Sequence, residues 1–331
     1  MTIQLLNRTS EAQPFEAGLD SRRFEVLFGQ NQTACFSGEN GIELQVKIPV
    51  LGEAYRECIF SKPGQIYQKF GFDLIEAEDY LVGAIAKEAE FPLEKITYEV
   101  YLDFLELVKD WNLHRVWHYV PFINQETDRL ENYKSFCKAR SLAFEAFYGE
   151  GFDGELPAAS AVGINDNRLV MYFIAGKRRG AHLENPEQIS AYKYPQQYGP
   201  RSPSFARGTV LSRKGKRIGY LSGTASIKSH ESVTLSDITD QLYTTLDNMS
   251  LVFERMGLVY ERQSYSGLMP DPAKHDRMFK VYIKRAEDAD QVQDLFAKII
   301  GATEEDHIIY LQSDICRSEL DIEIEAIISE R

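Results

Sequence analysis

A short segment near the C-terminus alternates apolar and acidic residues, and this pattern constrains the local structure more than any other part of the chain. From Leu320 to Ala326 every second residue is apolar, and the residues between them are Asp321, Glu323 and Glu325. Because successive strand residues point to opposite faces of a sheet, the pattern predicts a half-buried strand with three carboxylates on one face.

The acidic face of this strand has two interpretations. The simpler one is the solvated outer face of a sheet, where charged side chains are common. The other is chemical. Carboxylates that share a strand face repel one another, so at least one of them is paired with an arginine or carries a proton. A carboxyl group with a raised pKa is a candidate general acid.

The rest of the chain predicts mixed α and β structure. Residues 1–70 carry short apolar alternations punctuated by Gly, Asn and Pro, which is typical of strands and turns. Asp73 can cap a helix that runs to about Glu88. The remaining pattern predicts helices at residues 93–110, 132–147 and 236–257, strands at residues 114–122, 208–213, 217–225 and 278–284, and a hairpin at residues 161–176.

The glycine-rich segment from Gly149 to Pro157 is the predicted domain boundary. It gives an N-terminal domain of residues 1–150 and a C-terminal catalytic domain of residues 151–331. The same order of elements recurs on both sides, namely strands, a long helix and then a strand. We therefore predict a duplicated α+β unit, with mixed sheets packed against helices.

Charge and cysteine content exclude several functional classes. The formal net charge is -13, so nucleic acid and anionic membranes would repel the protein. The N-terminal residues lack the basic and apolar regions of a signal peptide, and no apolar run is long enough to cross a membrane, so a cytoplasmic location is expected. The four cysteines show no CxxC spacing and are expected to be reduced thiols.

Motifs for nucleotide binding, zinc proteolysis and serine hydrolysis do not occur in the sequence, so no cofactor is predicted. His114 and His118 have a spacing that suits zinc on a helix. They fall in a predicted strand, however, where residues four apart are too distant to share one ion without help. No metal site is predicted.

The long irregular segment at residues 184–207 is a second candidate for function, because loops of this length are usually functional or disordered and its aromatic content argues against disorder. Arginine can pair with a carboxylate through two parallel hydrogen bonds, and tyrosine adds an uncharged donor. In the structural alternative, the tyrosines pack the loop and the arginines offset acidic neighbours. The residues concerned are Tyr192, Tyr194, Tyr198, Arg201 and Arg207.

Two other positions have ligand-binding potential. Arg140 shares a predicted helix face with Phe136 and Phe144, so its side chain either covers apolar surface or points inward to an anion. Gly223 and the small residues after it allow a ligand to lie close to a strand end.

These segments resemble two related families. LSGTASI (221–227), the helix at 236–257 and LDIEIEAII (320–328) are similar to the central strand, the helix and the closing strand of the YjgF/RidA family. A closer resemblance is to the chorismatase family, whose fold is similar to that of YjgF proteins. It is carried by NRLVMYFIAG (167–176), ENPEQISAYKYPQQYGP (184–200), SFARG (204–208), GTASI with His230 and Glu231, and residues 316–323.

The chorismatase resemblance implies a YjgF/RidA-like fold for each half and chorismate as the substrate. Chorismate carries two carboxylates and an enolpyruvyl ether, so it needs two anion-binding groups and a proton donor. The resemblance implies that Glu323 is the general acid and places Arg140 on a helix at the substrate cleft. We expect Arg140 and Arg201 to bind the carboxylates, with Tyr194 and Arg207 nearby.

Product choice also follows from the resemblance. A cysteine ahead of the catalytic glutamate, here Cys316, implies the type that releases pyruvate and 3-hydroxybenzoate, with 4-hydroxybenzoate as a second aromatic product. We expect Cys316 to be a second catalytic residue whose ionised thiol assists proton removal as the ring becomes aromatic. The alternative is a buried structural cysteine. Cys316 and Glu323 would face opposite sides of a straight strand, so the residues between them must turn if both reach one pocket. Ser229 stands where family members commonly carry Gly or Ala, and we expect it to alter the pocket.

Several alternatives stay open. A hydrolytic chorismatase would give a dihydroxycyclohexadiene carboxylate and pyruvate. A non-catalytic protein that binds small aromatic acids is compatible with every residue named. A YjgF-like imine or enamine deaminase would need an arginine fifteen residues before Glu323, where this chain has Ile308. YjgF-like units commonly form trimers, whereas a duplicated chain can satisfy the same interfaces internally, so a monomer or a trimer is expected.

Overall fold

The computed structural model describes residues 21–233, 237–259 and 269–331. A four-stranded sheet comes first in the chain and has the order β2-β3-β1-β4. Its strands are β1 (Ser21–Leu27), β2 (Ala34–Gly38), β3 (Gly41–Gln45) and β4 (Arg56–Pro63).

Two six-stranded sheets follow. The first repeat contains β5 (Gln65–Lys69), β6 (Phe72–Glu76), β7 (Tyr80–Glu88), α1 (Glu94–Val108), β8 (Asn112–Pro121), the short strands β9 (Glu126–Thr127) and β10 (Leu130–Glu131), α2 (Asn132–Tyr148), β11 (Ala158–Ile164) and β12 (Arg168–Gly176). The second contains β13 (Ala181–Leu183), β14 (Gly208–Arg213), β15 (Lys216–Ala225), the short strands β16 (Ile227–Lys228) and β17 (Glu231–Ser232), α3 (Ile238–Arg255), β18 (His275–Ile283), α4 (Ala289–Ile300), β19 (His307–Gln312) and β20 (Ile322–Glu330).

The two sheets have the same topology, which confirms the predicted α+β duplication. Their orders are β5-β6-β7-β12-β8-β11 and β13-β14-β15-β20-β18-β19. In both, the last two strands pair in parallel and all other neighbours are antiparallel. Each repeat therefore consists of a three-stranded meander, a helix, a strand, a second helix, a parallel strand and a closing strand.

The helices of each repeat cover one face of its sheet, because their apolar stripes need a surface to bury. One core cluster joins α1 and α2 to the first sheet, and another joins α3 and α4 to the second. A third cluster contains residues of both six-stranded sheets and of the N-terminal sheet. The uncovered faces of the three sheets are therefore buried against one another in the centre of the molecule.

The closing strand β20 is buried on both faces. Ile322, Ile324 and Ile328 pack in the cluster of α3 and α4, while Glu323 and Glu325 point to the central region between the sheets, where they are 4% and 2% exposed. The solvated outer face considered for this strand is therefore wrong, because a second sheet covers its acidic side.

Two predicted elements are wrong. The helix from Asp73 to Glu88 is the antiparallel pair β6 and β7, and Asp73 accepts hydrogen bonds from Ser37 and Gln68 instead of capping a helix. The hairpin at residues 161–176 does not form, because β11 and β12 lie on opposite sides of β8. Both segments are largely buried and paired with other strands, and this tertiary context overrides local helix or turn signals.

The predicted division between residues 150 and 151 stays a prediction. Sheet membership changes later in the chain, between Gly176 and Ala181, because β11 and β12 pair with β8 and β7 of the first sheet. The other predicted helices and strands form within a few residues of their expected ends, although residue 236, where the third helix was expected to begin, lies outside the described residues.

Candidate active site

A cavity of about 220 Å³ lies where the two repeats meet. The first repeat contributes α2 and β11, and the second contributes β15, β20 and two irregular segments at residues 194–207 and 316–319. The site therefore requires both repeats, and it collects side chains from distant parts of the sequence.

Glu323 lines this cavity from β20, and its carboxyl group is protonated at neutral pH. Burial and, to a smaller extent, the neighbouring Glu325 raise the pKa of Glu323 to about 8. Among the described residues no cation forms an ion pair with it, and its side-chain hydrogen-bond partner is Cys316. A buried acid that holds its proton at neutral pH can transfer that proton to a bound substrate.

Glu325, two residues along the same strand face, has the opposite environment. Its carboxylate accepts hydrogen bonds from Arg115 (2.8 Å), Trp117 (2.8 Å) and Ser160, and forms an ion pair with Lys280 at 2.8 Å. Burial alone would raise the pKa of Glu325, but Lys280 and Arg115 hold it below its ordinary value. This carboxylate is therefore a fixed negative charge behind the cavity.

Gly223 provides the space for the Glu323 carboxyl group. A Cβ atom at this position would lie 2.7 Å from Cδ of Glu323, closer still to Oε1, and 3.2 Å from Oγ of Ser160. The Gly223 backbone N–H donates to Oγ of Ser160 at 2.9 Å. Because any side chain at position 223 would displace the acid, the strand carries glycine here.

Three arginines place guanidinium groups around the cavity. Arg140 and Arg207 are 2% and 5% exposed. Arg207 donates to the Tyr194 hydroxyl at 2.6 Å, and Arg317 donates to the Ser232 hydroxyl at 2.9 Å. Within the described residues, Nε and Nη2 of Arg140, Nε of Arg207 and Nη2 of Arg317 have no hydrogen-bond partner. Buried donors without partners are costly, so they indicate an anion that the cavity is built to bind.

A hydrogen-bonded chain supports Arg140 from behind. The Ser160 carbonyl oxygen accepts from Nδ1 of His118 at 2.7 Å, so Nε2 is left to accept from the Tyr101 hydroxyl at 2.5 Å. The Arg140 guanidinium lies 5.4 Å from the centre of the Tyr101 ring. Burial holds the pKa of His118 well below its ordinary value. His118 is therefore a neutral residue that orients Tyr101.

Cys316 and Glu323 line the same cavity because residues 313–321 leave the strand conformation between β19 and β20. Burial and the nearby Glu323 raise the pKa of the Cys316 thiol. The thiol is therefore protonated at neutral pH, and the suggested assistance from a thiolate has no support in this environment. Cys316 acts here as a small neutral group beside the acid.

The structure brings most of the predicted site residues together but not all of them. Glu323, Cys316, Arg140, Tyr194, Arg207 and Gly223 line the cavity.

Two predicted residues lie outside the cavity. Arg201 pairs with Glu145 at 2.8 Å on the outer side of α2. Ser229 is exposed and uses its backbone to contact Glu187 and Ile189. The geometry gives neither residue a direct route to a ligand in the cavity.

Arg317 is a cavity residue with an anion-binding side chain that the sequence analysis did not predict. Its guanidinium lies 3.9 Å from the centre of the Tyr198 ring and 5.3 Å from that of Tyr194. In the sequence it sits between Cys316 and Ser318 in a segment expected only to turn. Its place next to Cys316, inside a segment already assigned to the site, was the available signal.

No group of three or more potential metal ligands occurs in the described ranges. His114 contacts the Arg178 carbonyl oxygen at 2.8 Å. The described helices include none with the length and apolar character of a membrane span.

The sequence and the structure are similar to characterised proteins. Residues 60–175 match the family model described as "Chorismatase FkbO/Hyg5-like, N-terminal". A 3-hydroxybenzoate synthase from Streptomyces hygroscopicus is 34% identical over 245 residues, which cover 70% of this chain and 68% of that protein. A chorismatase from Streptomyces rapamycinicus is 33% identical over 261 residues, with 76% and 75% covered. A chorismatase crystal structure aligns with a TM-score of 0.83 and 26% identity over 97% of this chain and 96% of that one.

Proposed function

The chain belongs to the chorismatase family, and on this premise we propose that it is an enzyme that converts chorismate into pyruvate and 3-hydroxybenzoate. The observation that carries the proposal is the buried Glu323 carboxyl group, which forms no ion pair among the described residues, in a cavity that also presents unpartnered N–H groups of three arginines. An acid and a set of anion-binding donors are the two components that cleavage of a dianionic enol ether requires.

The arginines supply the binding energy for the two carboxylates. Arg140 and Arg317 line the cavity, so each can take one carboxylate while Arg207, held by Tyr194, adds positive charge. Hydrogen bonds to charged groups in a buried site are stronger than those between neutral groups. Two separated anion contacts also fix the orientation of the ring and of the enolpyruvyl group relative to Glu323.

Glu323 supplies the proton that starts the reaction. The proton goes to the methylene carbon of the enolpyruvyl group, which becomes the methyl group of pyruvate. An enol ether carbon is a weak base, so a carboxylic acid that is buried and already protonated lowers the barrier. The bond between the ring and the ether oxygen then breaks, and this oxygen leaves as the carbonyl oxygen of pyruvate.

The ring hydroxyl completes the intramolecular route. Its oxygen attacks the adjacent carbon, from which pyruvate departs, and gives up its proton, so that it bridges two ring carbons. The bond from this oxygen to its original carbon then breaks, the oxygen regains a proton, and the ring loses one carbon-bound proton as it becomes aromatic. No water is consumed, and the proton lost by the ring balances the one donated by Glu323. The neutral Cys316 thiol beside Glu323 occupies space that a water molecule could otherwise use, which favours this route over hydrolysis.

Incubation of the purified protein with chorismate tests the proposal. Pyruvate is followed by a coupled lactate dehydrogenase assay, and ring products are separated by chromatography against 3-hydroxybenzoate, 4-hydroxybenzoate and dihydroxycyclohexadiene carboxylate standards. We expect pyruvate and 3-hydroxybenzoate in equal amounts. A dihydroxy acid in place of the aromatic product would identify a hydrolytic chorismatase, and binding without turnover would identify a binding protein.

A further inference from the structure

We propose that Glu325 is a positioning residue whose permanently ionised carboxylate, held by Arg115 and Lys280, keeps the neighbouring Glu323 in its protonated form. This inference rests on the proposed function for its catalytic consequence, but it concerns a property of the protein without substrate. Glu325 does not line the cavity, so its influence on the reaction is exerted through Glu323.

The first support is the composition of the contacts around Glu325. Oε1 accepts from Trp117 at 2.8 Å and lies 2.8 Å from Nζ of Lys280, while Oε2 accepts from Arg115 at 2.8 Å and from Ser160. Each of these four partners is a donor. A proton on either oxygen of Glu325 would face another donor, so the arrangement holds only the ionised form.

The second support is the balance of charges in the buried network. Nζ of Lys280 also lies 2.7 Å from Oε1 of Glu57, which accepts from the Tyr172 hydroxyl at 2.8 Å. The side chains of Arg115, Lys280 and Glu57 are fully buried. Arg115 and Lys280 thus form their ion pairs with Glu325 and Glu57, and neither forms one with Glu323. Glu323 is thus left without an ion-pair partner among the described residues, and ionisation of a carboxyl group shielded from water is unfavourable.

The third support is the position of the two carboxyl groups on one strand. Residues i and i+2 of a strand point to the same face, so a negative charge on Glu325 is directed to the same side of β20 as the Glu323 carboxyl. Repulsion between such neighbours is the standard way in which one member of a carboxyl pair keeps its proton.

The groups on other elements that pack around Glu323 differ in their effect on its ionisation. Positive charges that favour ionisation come from Arg115 on β8 and from the three cavity arginines, whereas the neutral groups are a thiol and the hydroxyls of tyrosines. The titratable groups of the described residues that contact Glu323 or Glu325, act on them electrostatically or line the cavity include Glu57, Arg115, Tyr119, Glu131, Tyr133, Lys134, Arg140, Tyr172, Tyr194, Tyr198, Arg207, Lys280, Tyr282, Cys316, Arg317 and Glu319.

A cycle of substitutions tests the role of Glu325. The deprotonation midpoint of Glu323 is read from the infrared band of its protonated carboxyl group in enzyme without substrate, after subtraction of the matching Glu323→Gln spectrum. Glu325→Gln removes the negative neighbour and should move the midpoint to lower pH by about one unit or more. Arg115→Gln removes a cation and should move it to higher pH. The double variant restores the charge balance and should return close to the parent midpoint.

A purely structural network would not give shifts of opposite sign that cancel in the double variant. If Glu325→Gln does not fold, a rise in Arg115→Gln that the double variant reverses still supports the inference, and an unchanged midpoint in Arg115→Gln overturns it. Asp321→Asn, in the residue directly before β20 and paired with Arg285 outside the cavity, is the control and should cause no shift. If the midpoint shifts occur as expected but the protein does not consume chorismate, the proposed function is wrong and the inference about Glu325 is still supported.

Discussion

Glu323 and Glu325 lie two residues apart on one face of β20, yet among the described residues only Glu325 forms ion pairs. The consequence is a division of protonation states: the pKa of Glu323 is raised to about 8, and that of Glu325 is lowered. One strand thus presents an acid to the cavity and a fixed negative charge behind it. This division leads to specific expectations for variants and for pH dependence.

Replacing Glu323 by glutamine should reduce pyruvate release from chorismate by about two orders of magnitude or more, because the variant keeps the shape of the side chain but has no acidic proton. The turnover number in the coupled assay is the measurement. Asp321→Asn, in the residue directly before the same strand, is a matched control and should retain turnover. Near-normal activity of a correctly folded Glu323→Gln protein would remove this residue from the mechanism.

The pH dependence of activity should show the ionisation of Glu323. Since the protonated form is the active one, kcat/KM should fall as the pH rises through about 8. The profile is measured in overlapping buffers at constant ionic strength. A rate that stays level well above this pH, with the protein still folded, would be incompatible with Glu323 as the acid.

The same ionisation should affect stability. The pKa of Glu323 is raised from 4.5 to about 8 in the folded protein, so between these values the folded state binds more protons than the unfolded state. The contribution of this residue to the free energy of unfolding therefore decreases as the pH rises across that interval. Urea unfolding at several pH values should show a smaller decrease for Glu323→Gln than for the parent protein.

Gly223→Ala should lower turnover with little effect on folding of the remainder, because the added Cβ collides with the Glu323 carboxyl group and displaces it. We expect a reduction in kcat of at least about tenfold, since small misplacements of catalytic groups have large effects. Gly154→Ala is the matched control, because a Cβ there meets no atom within 4 Å. Equal activity in both variants would show that Glu323 can move without loss.

Arg317→Ala should raise KM for chorismate by roughly 10- to 100-fold, the range expected for loss of a hydrogen bond to a charged group. Arg201→Ala is the comparison variant, because the sequence analysis expected Arg201 to bind a carboxylate of the substrate. Arg201 pairs with Glu145 outside the cavity, so its loss should leave KM nearly unchanged. The reverse order of effects would return Arg201 to the substrate contacts and exclude Arg317.

Cys316→Ala should change the products more than the rate of pyruvate release. Loss of the thiol opens space beside Glu323, so water can compete with the ring hydroxyl for the reacting carbon. Chromatography should show less 3-hydroxybenzoate and more dihydroxy acid while pyruvate release continues. An unchanged ring product would mean that Cys316 serves only to pack the cavity wall.

The sequence alone predicted the local structure where apolar residues recur with the period of a strand or of a helix. The alternation from Leu320 to Ala326 predicted β20, the helical spacing predicted α1 and α2, and the recurrence of element types predicted the duplicated unit. Chemical reasoning and family resemblance predicted that Glu323 and Arg140 belong to one site, and both line the cavity.

Only the tertiary structure decided what covers each face and which side chains meet. A period of two shows that Glu323 and Glu325 share a face, but not that the other six-stranded sheet supplies Arg115 and the neighbouring strand β18 supplies Lys280 to one of them. Likewise, composition made Arg201 and Arg317 equally suitable for an anion, and the packing of their segments separated them. The physical reason is that burial and ion pairing depend on contacts between residues far apart in the chain, here more than 200 positions for Arg115 and Glu325, and such contacts leave no local pattern.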